Sequence, residues 1–236
     1  MIKINNVAVH GWEAGIRGMR NPMNSWDKSD TEYKLILDSM CSEDVKKAKM
    51  CGGTLVEIGE NDLNLMQSLV KAGSDHSKFM RMITVTVDIT APLYWWKEFD
   101  TYKVGTVRNS CSTMHKVTEK EFTLDDFSCE HLLSCSIDGL IVIINYLNDA
   151  RDIYLNFDNK MARGGLIPEI RCKKDMWWQI IQLLPSSYNQ TATVQLNYAV
   201  LRNMYHSRKN HKLDEWVEFC KWVETLPYAK ELICYE

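Results

Sequence analysis

Between residues 83 and 92 the chain reads Ile-Thr-Val-Thr-Val-Asp-Ile-Thr-Ala-Pro, so that Ile83, Val85, Val87 and Ile89 alternate with Thr84, Thr86 and Asp88. A side-chain period of two suits a strand with one face in a core, and a helix cannot sort such a pattern onto one side. Pro92 ends the strand. It can also open a helix over Leu93, Tyr94, Trp95, Trp96 and Phe99, because the first helical position has no need of an N–H. The stretch therefore commits the chain to β structure, although most of its other periodicities are helical.

Leu63, Met66, Leu69 and Val70 recur at helical spacing, with Asn61 or Asp62 as the cap and Gly73 at the end. Helices are also predicted over residues 32–49, stopped by Gly52 and Gly53, and over 130–148. Others are predicted over 176–184 before Pro185, over 189–207, and over 213–225 with Pro227 as terminator; weaker helices or turns fall at 153–161. Ile2, Ile4, Val7 and Val9 suggest a short opening strand. Residues 11–30, rich in Gly, Asn, Arg and Ser and broken by Pro22, read as an ordered loop. Residues 104–121 read as irregular backbone with many donors, the kind of loop that makes binding sites. These elements favour an α+β fold, and 236 residues, 45% of them hydrophobic, suit one domain over residues 1–236.

Charge narrows the partners. With 28 Lys and Arg against 31 acidic residues, a formal charge of −3 gives no general field for a polyanion, so DNA and RNA strands are not expected. A nucleoside monophosphate remains open, because a few local cations and backbone donors can hold one phosphate. The eight cysteines show no CxxC pair, which favours reduced thiols over disulfides or a metal site. The first residues lack the pattern of a secretory signal, and no segment reaches the length of a membrane span, so a cytoplasmic protein is expected.

Three blocks, in order, resemble the flavin-dependent thymidylate synthases. The first runs from Asn61 through Pro92 and contains Gly73-Ser74-Asp75-His76-Ser77-Lys78-Phe79. The family has Gly-His-Glu-Thr-Pro-Phe here; Ser77 falls at its Thr and Phe79 matches, while Asp75 and His76 replace its His and Glu. The second block spans Ala91 to Met114, where the family carries R-H-R-x-x-S-x-N-E-x-S-x-R. This chain has Thr101-Tyr102-Lys103, then Thr106, then Asn109-Ser110-Cys111-Ser112 and Met114, with one extra residue near Val107 and Arg108. The third block is Leu184-Pro185 followed by Asn197, Asn203, Arg208, His211 and Trp216, with Ala199 where an Arg is usual.

The resemblance implies helices packed on a small, mostly antiparallel sheet, and a homotetramer whose active sites are shared between subunits. It also implies binding of dUMP and FAD, with NADPH and methylene-tetrahydrofolate as co-substrates, and transfer of a one-carbon unit to C5 of the pyrimidine. A methylase or a hydroxymethylase acting on dUMP or dCMP would both fit. Tyr102, Lys103 and Ser112 would be the catalytic positions. Asn109, Ser110, Cys111, Ser112 and Arg208 would meet the nucleotide, and Ser77, Lys103, Asn197 and Asn203 the cofactor.

Physical chemistry gives each of these residues a competing role. On one helix, Asn197, Leu201, Met204 and Arg208 would form a stripe with its ends ~16 Å apart, either two contacts on a long ligand or the polar ends of a core stripe. Residues 109–112 could cup a phosphate or make a plain sharp turn. Cys111 could be compared with the nucleophile of classical thymidylate synthases, but has no identifiable base or cationic partner and reads better as a structural thiol. Lys103 can donate to an anion without reproducing a guanidinium fork, and Tyr102 can stack or donate without carrying protons as His does. Arg17, Arg20, Arg108, His115 and Lys116 could replace lost cations or simply be solvated. Trp95, Trp96, Trp177 and Trp178 could stack on a ring or serve core and interface. Since Thr101-Tyr102, Met114 and Ala199 stand where charged residues are usual, a nucleotide-binding protein without the reaction is the alternative. A structural oligomer without a ligand is a third reading.

Overall fold

The computed structural model describes residues 2–35, 41–162 and 168–235. In chain order its elements are β1 (Lys3–His10), α1 (Trp12–Arg20), β2 (Glu32–Leu35), α2 (Ser42–Met50), β3 (Thr54–Glu57) and α3 (Glu60–Lys71). Then come β4 (Thr84–Pro92), α4 (Leu93–Phe99), β5 (Val107–Ser110), α5 (Thr113–Lys116), α6 (Ser134–Leu155) and α7 (Phe157–Ala162). The chain closes with α8 (Lys173–Leu183), β6 (Asn189–Asn197), α9 (Tyr198–Arg208), α10 (Asp214–Val223) and α11 (Ala229–Leu232). One sheet has the order β1-β4-β6-β5, and β2 pairs with β3 antiparallel. Thr90 faces Thr191 at 2.7 Å and Asp88 accepts from Thr193 at 2.6 Å, so two steps back along β4 are two forward along β6: this central pair is antiparallel. The fold is α+β. It divides into two compact units: residues 90–98 with 110–191, and residues 2–89 with 99–109 and 192–236.

The larger unit holds most of the sheet. Val85, Val87 and Ile89 are fully buried, as their alternation predicts, and Ala192, Val194 and Leu196 do the same for β6. Residues 189–197 are thus a strand and only 198–208 a helix; Thr, Gln and Asn on alternate positions hide the period of two from a helical reading. Residues 11–30, expected as a loop, contain α1. Its buried residues Trp12, Gly15, Ile16, Met19 and Arg20 form a helical stripe. Gly15 belongs there because an added Cβ would come within 3.2 Å of Ile83, and Gly11 takes φ 89° where a Cβ would meet the Met82 carbonyl at 2.0 Å.

Residues 32–35 form a strand and 42–50 a helix, in place of one helix over 32–49; positions 36–40 of that expectation lie outside the described residues. Helix α3 is present, but its cap is neither Asn61 nor Asp62. Gly59 occupies the N-cap and Asp30 reaches across, accepting from the N–H groups of Asn61 and Asp62 at 2.9 and 3.0 Å. Asp62 is itself fully buried and paired with Arg20, whose Nε donates to it at 2.7 Å. Arg20 is therefore no solvated cation.

The smaller unit is built on α6 and α8. Leu140, Ile144, Leu147 and Ala150 form the buried stripe of α6 and pack with Met176 and Ile180 of α8 and with Val117, Phe122 and Phe127. Trp95 and Trp96 are buried edge to face, and Trp96 Nε1 donates to the Gln190 carbonyl at 2.9 Å, so this pair belongs to the core. Trp178 is exposed. Residues 104–121, expected to be irregular, include the short elements β5 and α5. Among the described residues no helix is long and apolar enough to cross a membrane.

Candidate functional site

A polar cluster of the larger unit lies at the end of α9. Arg208 is half-buried; its Nε donates to the Tyr102 hydroxyl at 3.0 Å, and its Nη1 lies 2.8 Å from Nε2 of His211. The guanidinium carbon sits 5.0 Å from the Trp216 ring centre and 5.7 Å from that of Tyr102. Trp216 is fully buried, 6.0 Å from Tyr102 and stacked 6.4 Å from Phe99. His211 is fixed in turn, since Nδ1 accepts from the Leu213 N–H at 3.1 Å. The rings thus hold the guanidinium in one orientation, as bidentate recognition of a phosphate or carboxylate requires.

The loop after Tyr102 runs toward the other end of α9. A Cβ on Gly105, at φ 83°, would sit 2.9 Å from Val200 and 3.2 Å from Asn197 Nδ2, so only glycine lets the loop lie this close. Asn197 is the N-cap of α9, with Oδ1 accepting from the Val200 N–H at 3.0 Å. Leu201 and Met204 between the two ends are fully buried. The sequence stripe thus has a core middle and polar ends. Within the loop Thr106 donates to the Tyr102 carbonyl at 2.6 Å, and Arg108 pairs with Asp100 at 3.3 Å. Lys103 and Asn109 are exposed, and neither side chain has a hydrogen bond or ion pair among the described residues.

Ser110, Cys111 and Ser112 belong to the smaller unit. There the Cys111 N–H donates to the Thr191 carbonyl at 2.9 Å, and Ser112 caps α5 by accepting from the His115 N–H at 3.2 Å. Two groups expected to cup a phosphate are thereby engaged in local structure. Ser77 donates to the Gly73 carbonyl at 3.1 Å, and exposed Asn203 accepts from Ser207 at 3.4 Å. Arg17 is exposed and 3.6 Å from Glu13. No group of three or more His, Cys, Asp or Glu suited to a metal occurs among the described residues, and the eight cysteines are free. The Tyr102–Arg208 bond was not foreseen: it joins positions 106 apart in sequence, and no local pattern announces it.

No family model matches the chain, and no curated protein matches it. Solved structures do. The chain is similar to the flavin-dependent thymidylate synthase ThyX from Helicobacter pylori complexed with FAD and dUMP, with a TM-score of 0.59 and 14% identity over 98% of this chain and 97% of that one. A second structure of ThyX from Helicobacter pylori with FAD and dUMP gives a TM-score of 0.60 at 14% identity, over 98% and 96% of the two chains. At such identity the likeness establishes the fold.

Proposed function

We propose that this chain binds a pyrimidine deoxynucleoside monophosphate of the dUMP type and transfers a one-carbon unit to C5 of its base, as a methylase or hydroxymethylase acting on dUMP or dCMP. The observation that carries the reading is the Arg208 guanidinium, bonded to Tyr102 and set beside the Trp216 ring, in a chain whose fold follows that of a synthase solved with dUMP. An oriented guanidinium meets a phosphate through two parallel N–H···O bonds and anchors the nucleotide. The Tyr102 oxygen accepts from Arg208, which leaves its own proton to donate, and Lys103 adds a cation on the same segment.

The residues present fit a flavin in part. Asn197 spends Oδ1 on its helix but keeps the Nδ2 donor, and the Lys103 ammonium has no partner among the described residues, so these two would hold FAD. A bound flavin would supply redox chemistry there, with NADPH and methylene-tetrahydrofolate as co-substrates. Ser77 and Asn203 make local bonds instead.

Incubation with C5-tritiated dUMP or dCMP, methylene-tetrahydrofolate, FAD and NADPH should release tritium, and Arg208→Gln should abolish it. If neither substrate releases tritium, the transferase reading fails. The second reading, a nucleotide-binding protein without the reaction, is favoured by Thr101-Tyr102, Met114 and Ala199, and would appear in calorimetry as dUMP binding lost in the same variant. A homo-oligomer accompanies either reading. It is supported by α6, which exposes Val142 and Tyr146 away from its buried stripe and Ile141 and Ile143 along its edges, and a monomer in light scattering would refute it.

A further inference from the structure

We infer that the smaller unit carries a separate binding site for a flat-ringed organic anion, in the groove formed by α5, α6 and α8. The groove has a volume of about 690 Å³ and is lined by Met114, His115, Tyr154, Lys173, Lys174 and Trp177. That size suits a small organic molecule.

Two of its rings are fixed before any ligand arrives. Trp177 Nε1 donates to the Met114 carbonyl at 3.1 Å, which sets the plane of the indole. Lys173 holds its ammonium 4.4 Å from the Tyr154 ring centre, so cation and aromatic face are presented as one unit. Lys174 and His115 are exposed, and their side chains have no hydrogen bond or ion pair among the described residues.

None of the residues that line the groove is acidic. Asp175 accepts from the N–H groups of Cys172 and Arg171 at 2.8 Å each; these backbone bonds hold its carboxyl below the usual carboxylate range, and it completes the capping box whose N-cap is Cys172. Glu119 is paired with Lys116, and Asp152 with Lys160. The groove's lining therefore combines ring faces with two ammonium groups and no carboxylate, in a chain that is net negative. Aromatic faces select a flat ring, and the ammonium groups select an anion attached to it. Phosphate and carboxylate satisfy that chemistry alike.

The inference does not rest on the pyrimidine site, since it uses none of the residues around Arg208. Its test is calorimetry on the full chain carrying Arg208→Gln, which removes the other anion site. The probes are 1-naphthyl phosphate, 1-naphthoate and inorganic phosphate. At least one naphthyl anion should bind, and the one bound more tightly identifies the headgroup. Its affinity should fall about tenfold or more on Lys173→Gln with Lys174→Gln, and similarly on Trp177→Leu, with inorganic phosphate at least about tenfold weaker. The site is refuted if neither naphthyl anion binds, if inorganic phosphate binds as tightly, or if the lysine pair can be removed without effect. Because both lysines are exposed, that pair decides the matter even where Trp177→Leu does not fold.

Discussion

Two arginines of the larger unit, Arg20 and Arg208, set a side chain that serves the fold beside one that the proposed function gives to a ligand. Arg20 is 4% exposed and faces Asp62, which is fully buried. Its Nε meets that carboxylate at 2.7 Å, and its other nitrogens donate to the carbonyls of Ser25 and Lys28 at 3.1 and 3.0 Å. The second Asp62 oxygen receives Ser29 and Thr31 hydroxyls at 2.7 and 2.6 Å. The contacts of Arg208 include groups of another kind: a phenol oxygen, an imidazole nitrogen and two ring faces. A cation locked to a buried carboxylate is structure. One that aromatic rings also contact is the group to which the proposed function gives the nucleotide's phosphate.

The contrast breaks most easily at Asp62. Asp62→Asn leaves Arg20 buried without its counter-charge and should cost about 3–5 kcal/mol in urea unfolding, with nucleotide affinity per folded molecule unchanged. Burial opposes ionisation of Asp62, but bonds from Thr31, Ser29 and Arg20 outweigh it and hold the carboxyl below its ordinary pKa. With the folded value below the unfolded one, about 3.9, this contribution is complete above that pH and is lost as pH falls through the folded value. The wild-type chain should therefore lose stability in acid more steeply than Asp62→Asn. Equal acid slopes would mean that the charge contributes nothing.

The converse substitution sharpens the comparison. Arg208→Gln should lower stability by only about 1–2 kcal/mol, the scale of a ring contact and one hydrogen bond at a half-buried site. It should weaken dUMP by about ten- to a hundredfold, as expected for loss of a charge-assisted pair. Arg208→Lys should restore little of that, because an ammonium has no fork. If Arg208→Gln instead unfolds the chain while leaving dUMP binding intact in the folded fraction, the two arginines are of one kind.

How far the sequence disclosed this depended on where each cause lay. β4 was legible because its core contacts follow directly from alternation, and α6 because its apolar residues persist over several turns. The α1 stripe from Trp12 to Arg20 was present too, but the glycines that admit Ile83 and Met82 look like loop residues until the neighbour is known. The cap of α3 was misread because it comes from Asp30, on a distant segment. At the candidate site the resemblance nominated both Tyr102 and Arg208, yet gave one to catalysis and the other to the nucleotide. Their mutual bond depends on how the segment after α4 lies along α9, which no spacing encodes.

The smallest effect tests that bond itself. Tyr102→Phe keeps the ring beside Trp216 and Arg208 but removes the oxygen that accepts from Nε, a loss of about 0.5–1.5 kcal/mol. Were the hydroxyl only packing, unfolding would shift by that amount and dUMP affinity would not move. If it orients the guanidinium, affinity should fall about threefold to tenfold while stability changes less, because a freed Arg208 regains rotamers that it must lose again on binding. Combining Tyr102→Phe with Arg208→Gln should then cost no more affinity than Arg208→Gln alone. Additive losses would instead mean that Tyr102 meets the ligand by its own route.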